Sequence, residues 1–399
     1  MDRDLIHSVL SRGCVLCTFV LFASLLLIAA PSAPAGTSGP TFVYVGAYTT
    51  AQIAGNHLNP NGLSVFRFDP ATGALSLVQE VRSANPSWAV LDPSRRFLYV
   101  INEVADYEGK KSGSAEAWAI DPKTGRIHLL NHQSLNSPIP SQLAIDPAGR
   151  HLVVSSFIGG EYIVLPIGAD GRLGPVSGRV ESAYIAPGSS PQAESRPHSV
   201  VFDPSGRFIA TANIATDKIQ TYRLTGGSLE RVSEASLPPG TGPRHIAFDL
   251  SGKHLYVISQ PAATVTVFAF DPAQGQIGKV LQTISTVPDD YKGSRSGAEI
   301  AVHPSGNFLY ASTRETNIVV GYRIDPSTGL LSVVGFVTEG ISTPRSFAFD
   351  PSGKWLYVEN QTGDTIVQFE IDPNTGQLKP TGRITPDIAP VVMLFRPTD

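Results

Sequence analysis

Asp350-Pro351-Ser352-Gly353-Lys354 runs straight into Trp355-Leu356-Tyr357-Val358. The first part is a turn: aspartate bonds its own backbone two residues on, proline sets φ at the first corner, and glycine accepts a positive φ. The aromatic and β-branched residues that follow suit a strand. The phrase recurs at Asp92-Pro93, Asp146-Pro147, Asp203-Pro204, Asp249-Leu250 and His303-Pro304, each between apolar strands. A second phrase alternates with it, a strand, a D-P-x-T-G turn and another strand. It stands at Asp69-Pro70, Asp121-Pro122, Asp271-Pro272, Asp325-Pro326 and Asp372-Pro373. Degenerate copies lie at Gly168-Ala169-Asp170-Gly171 and Thr225-Gly226-Gly227.

Each pair of phrases makes four strands, A to D, in about 50 residues, which is one blade of a β-propeller. Seven C–D hairpins are present but only six complete A–B turns. The missing pair is split across the chain: Thr41-Phe42-Val43-Tyr44-Val45 reads as strand B of one blade, and Val391-Val392-Met393-Leu394-Phe395 as its strand A. A ring closed this way leaves no free edge where the termini meet. The expected fold is all-β, a seven-bladed propeller of four antiparallel strands per blade, over residues 41–399.

Composition agrees. Of 399 residues, 42% are hydrophobic and 16% charged, with 37 glycines and 32 prolines, as many short strands and tight turns require. The net charge of -4 supplies no field for nucleic acid or an anionic membrane. Residues 1–35 differ from the rest. Arg3, His7 and Arg12 precede an apolar run from Cys14 to Ala30, and Ala33-Pro34-Ala35 has the small residues that a signal peptidase needs. The reading is an export signal, or an uncleaved anchor, then a short linker over 36–40. Export to the periplasm or outside the cell follows, with no membrane attachment once the signal is cleaved. The only cysteines, Cys14 and Cys17, lie in that segment, so the domain has no disulfide and no thiolate site.

In a propeller the starts of A strands and the ends of B strands gather at one mouth of the central channel. The apolar parts of the blades agree with one another; these polar parts differ, as a binding mouth requires. The A starts offer His198, Arg244, His245, Glu299 and Arg345; the B ends offer Glu103 and Arg314. The alternative for each is a residue that satisfies a loop carbonyl or pairs with a neighbour. No histidine pair has helix spacing for zinc, and no nucleophile elbow or phosphate loop is present. Trp88 and Phe157 are able to stack on a ring or to pack. His128, His132 and His254 read as surface residues, and Asp217-Lys218 as a solvated pair.

Gly46-Ala47-Tyr48-Thr49, Asn102-Glu103, Arg196-Pro197-His198 and Gly242-Pro243-Arg244-His245 carry a family resemblance. So do Ala298-Glu299-Ile300, Ser312-Thr313-Arg314 and Thr343-Pro344-Arg345-Ser346-Phe347. The chain resembles the propeller-type 6-phosphogluconolactonases and the related fungal carboxy-muconate cyclase over essentially its whole length after the leader. The resemblance implies lactone chemistry at a cluster of Arg, His and Glu, with a small lactone or anionic sugar as partner; no metal or cofactor is required, and a monomer is expected. Two positions depart from the family pattern. Gln260 stands where a carboxylate is common, and Gln142 where a histidine is common; both remain candidate substrate contacts. The mechanism expected is general-base attack of water on a lactone carbonyl. His198 or His245 takes the proton, with a pKa near working pH, and Arg244 and Arg314 hold the developing oxyanion or an anionic group. Glu299 orients a neighbour and Arg345 adds to the anion pocket. The competing reading is an exported propeller that binds a ligand or protein without catalysis.

Overall fold

The structure, a computed structural model, describes residues 41–51, 57–182 and 195–397. The proposed leader and linker fall outside these residues. Among the described residues there are seven four-stranded antiparallel sheets and one two-stranded ribbon, Asp106–Tyr107 with Lys110–Lys111. No helix of them is long and apolar enough to cross a membrane.

Blade 1 comprises Pro86–Leu91, Phe97–Asn102, Ser114–Ile120 and Ile127–Ser134, in A to D order. Blades 2 to 6 repeat that plan. Their A strands are Pro140–Ile145, Pro197–Phe202, Pro243–Phe248, Gly297–Val302 and Pro344–Phe349. Blade 7 takes strand A from Pro390–Arg396 and strands B to D from Phe42–Ala47, Gly62–Phe68 and Leu75–Arg82. Phe42 lies opposite Arg396 and Val43 opposite Phe395, so the split blade expected from the hairpin count is present. Strand A of each blade neighbours strand A of the next, and the last neighbours the first.

The turn chemistry is as the sequence reads. Asp350 Oδ1 accepts from the amide of Trp355 at 2.7 Å, and Asp203 Oδ1 from Phe208 at 2.8 Å. Gly353 and Gly206 sit at φ of 74° and 68°, where a Cβ is costly.

The core lies between blades rather than within them. Phe308, Tyr310 and Val319 of blade 5 pack on Phe347, Leu356, Val358 and Phe369 of blade 6. A polar staple crosses these seams. The B-strand tyrosine of the aromatic-Leu-Tyr phrase donates its hydroxyl to the carbonyl of the glycine in the next blade's C–D turn. The pairs are Tyr99 to Gly171 at 3.0 Å, Tyr256 to Gly329 at 3.0 Å, Tyr310 to Gly376 at 2.6 Å and Tyr357 to Gly73 at 2.6 Å. Tyr44 to Gly125, at 3.1 Å, does the same across the seam beside the split blade.

Candidate active site

Two tiers of equivalent positions build a cleft of about 170 Å³ at one mouth of the channel. The upper tier is the first residue after strand B: Tyr48, Glu103, Phe157, Gln260, Arg314 and Gln361 all line it. The lower tier is the second residue of strand A: Ser141, His198, Arg244 and Arg345 line it from below. Strand ends expose backbone and side chain where the sheet ladder stops, so this is where the repeat is free to vary.

A proline opens strand A in six blades, and the residue before it lies at positive φ in five of them. These are Asn85, Ile139, Gly242, Thr343 and Ala389, at 43°, 52°, 63°, 51° and 49°. For Ile139 and Thr343, both β-branched, this is strained backbone. Asp217 steadies one such entry by accepting from the amides of Gly240 at 2.8 Å and Gly242 at 2.6 Å. Its sequence neighbour Lys218 pairs instead with Glu234 at 2.5 Å, so the two do not act as a pair.

Three guanidinium groups meet one carboxylate at the cleft. Arg345 pairs with Glu103 at 3.1 Å and lies over the ring of Tyr48, whose hydroxyl donates to Glu103 at 2.9 Å. Arg314 is held by the Ser296 hydroxyl at 2.8 Å. Burial and the charge of Arg345 bring its pKa down to about 10. Arg244 is 1% exposed and donates to the carbonyl of Ala298 at 2.6 Å. Burial, then Arg314 and Arg345, oppose its charge. An anion entering here relieves that repulsion.

His245 and Glu299 lie one step below the cleft. Arg244 can only donate, so Nε2 of His245, at 3.3 Å from Nη1, accepts. The hydrogen is therefore on Nδ1, which donates to Glu299 at 3.1 Å. Burial brings His245 down to about 4, and Glu299, despite its burial, is held lower than an ordinary carboxyl by His245. Both nitrogens of His245 are thus engaged. His198 is different. It lines the cleft, its ring stands 4.9 Å from that of His245 and 5.8 Å from Phe157, and its Nδ1 has no partner among the described residues. Burial, with Arg244 next, holds its pKa well below the usual imidazole value. The expectation of a pKa near working pH fails for both histidines, because neither was visibly buried among cations in the sequence.

The structure brings Glu103, His198, Arg244, Gln260, Arg314 and Arg345 together, with His245 and Glu299 supporting them. It does not bring Gln142 to the cleft. That amide oxygen accepts from the Ser199 hydroxyl and the Val200 amide, both at 2.7 Å, and ties blade 2 to blade 3. Trp88 packs edge-on against His245 at 5.2 Å instead of lining the cleft. His254 is half-buried on Asp249 at 2.9 Å rather than on the surface. Sequence reading passed over Tyr48, Ser141 and Gln361. Tyr48 was quoted only within a family motif; alignment of all seven B ends marks it as a site position.

The fold and cleft define a class: a closed seven-bladed propeller with a cation-rich site at the channel mouth. The description "Lactonase, 7-bladed beta-propeller" matches residues 42–395. The chain is 30% identical over 308 residues to a 6-phosphogluconolactonase of Bacillus subtilis, covering 76% of this chain and 83% of that one. It is 28% identical over 326 residues to a 6-phosphogluconolactonase of Formosa agariphila, covering 77% and 85%. Among solved structures, the periplasmic gluconolactonase of Pseudomonas aeruginosa superposes with a TM-score of 0.81 at 28% identity, covering 90% of this chain and all of that one. The chain belongs to the seven-bladed β-propeller lactonase family.

Proposed function

We propose that this protein hydrolyses a sugar-type lactone in the cleft. The observation that carries the reading is the convergence of three arginines on a cleft whose one imidazole, that of His198, forms part of the wall. His198 is the base. It takes a proton from water as the water oxygen bonds to the lactone carbonyl carbon. The carbonyl electrons move onto oxygen, and Arg244 stabilises that oxyanion. Collapse restores the carbonyl and breaks the ring C–O bond, and the imidazolium returns its proton to the leaving alkoxide. Arg314 and Arg345 hold an anionic or hydroxyl-rich part of the substrate. Glu103, Gln260 and Tyr48 fix its orientation, while His245 and Glu299 hold Arg244 in place.

The proposal includes export through residues 1–35 and action as a monomer without metal or cofactor. The periplasmic relative supports export, and an exported enzyme meets unphosphorylated aldonolactones. The test is pH-stat titration of acid release from glucono-δ-lactone and its 6-phosphate by purified protein. Release above the spontaneous rate is expected, and Arg244→Ala lowers kcat/KM by about 100-fold or more. If several lactones give no enzymatic release, or Arg244→Ala leaves it unchanged, the reading fails.

A further inference from the structure

One blade breaks the repeat in a place the mechanism does not use. In the layer just below the cleft, strand A presents Trp88, Gln142, Ser199, His245, Glu299, Ser346 and Val392, one from each blade. The B-strand residues beside them are Ile101, Ser155, Ala212, Ile258, Ser312, Glu359 and Gly46. Six of these are uncharged. Blade 6 alone has a carboxyl, Glu359, directly opposite Ser346 and with no accessible surface. Ionised burial of this kind is costly without a cation or several donors, and glutamine of the same size would avoid it.

Neither oxygen of Glu359 has a hydrogen-bond partner among the described residues. The charged groups acting on it, Glu299 and Asp387, are both carboxyls and favour its neutral form; the Ser346 hydroxyl is the one side chain that favours the anion. That hydroxyl is already committed, since it donates to Glu299 Oε2 at 3.3 Å. Its lone pairs are left to accept, and a protonated Glu359 has a hydrogen to give. The observed bonds run from Ser346 to Glu299, from His245 to Glu299 and from Arg244 to His245; a protonated Glu359 adds one more, to the Ser346 hydroxyl opposite it.

We infer that Glu359 is a positioning residue, an uncharged acid that closes a hydrogen-bonded chain through Ser346, Glu299 and His245 to the Arg244 guanidinium on the cleft wall. Its chemistry is that of a buried acid kept neutral so that it donates. With Ser346 locked, Glu299 has both oxygens occupied and His245 keeps one tautomer and one orientation. Arg244 is thereby aimed by residues from three successive blades.

The test has two arms free of any substrate and one that rests on the lactonase reading. In infrared difference spectra of wild type against Glu359→Gln at neutral pH, the carbonyl band of a protonated carboxylic acid is expected, and Ser346→Ala shifts it. Absence of the band, or a band unmoved by Ser346→Ala, overturns the inference without altering Glu359's packing. In protein labelled at histidine nitrogen, the His245 Nδ1 proton resonance moves in Ser346→Ala and Glu359→Leu and returns in Glu359→Gln. A resonance unchanged in Ser346→Ala likewise overturns it. On a lactone, Glu359→Leu lowers kcat roughly five- to tenfold with KM little changed, the loss of about one net hydrogen bond, and Glu359→Gln restores it. Loss of KM instead of kcat contradicts it. Should no lactone be turned over, the spectroscopic arms still decide the role of Glu359.

Discussion

At the scale of single residues, the two histidines of the site look alike in sequence and differ in employment. His245 donates to Glu299 and accepts from Arg244, so it has nothing left to offer a water molecule. His198 lines the cleft, and its Nδ1 is buried without a partner among the described residues. Its pKa is depressed first by burial and then by cations, so it stays neutral through the neutral range and gains a proton only well below pH 6.5. A general base is lost on protonation. The kcat/KM profile of lactone hydrolysis is therefore expected to stay level from about pH 8 to pH 6 and to fall only at lower pH. Arg345→Gln removes one of the opposing charges, raises the His198 pKa and moves that acid limb to higher pH. A pH–rate series on the two proteins checks both statements; a half-loss near pH 6.5 in the wild type contradicts the first.

At the scale of the element, five of the seven blade seams combine apolar contact with one tyrosine hydroxyl on a turn carbonyl. The aromatic-Leu-Tyr phrase was legible as a strand, but its tyrosine's destination was not, because the acceptor glycine lies 66 residues away for Tyr310 and 284 for Tyr357. Tyr310→Phe keeps the ring in the seam and leaves the Gly376 carbonyl buried without its donor. The expected loss is about 1–2 kcal/mol, read as a lower midpoint in urea at unchanged m-value. The turns themselves were legible residue by residue, since Asp, Pro and Gly act through local geometry. The positive φ ahead of the opening prolines was not, for nothing in Ile139 or Thr343 invites it.

At the scale of the whole molecule, the ring is closed by pairing between strands at opposite ends of the chain. Removing residues 389–399 takes away the inner strand of blade 7 and leaves Val43, Val45 and Phe66 without Met393 and Phe395. Loss of a cooperative thermal transition and aggregation on size exclusion are expected, because an open edge forms next to a broken core. A circular permutant joining residue 397 to residue 41 by a short turn, and opened between Gly226 and Gly227, tests the same idea from the other side. Phe42 and Arg396 are already opposite each other, and Gly226 lies in open space at a hairpin tip. Its melting temperature is expected within a few degrees of the parent.

The propeller, the count of seven and the shared blade follow from the sequence alone, because strands and turns are governed by neighbours in the chain and a repeat shows its own register. The candidate residues were also largely visible, as departures from that repeat at the strand ends. What only the tertiary structure decided is which of them face the cleft. Gln142 turns to a neighbouring blade, Tyr48 arrives from the split one, and His245 drops beneath Arg244. Burial, charge and hydrogen-bond partners at the channel mouth come from seven blades at once.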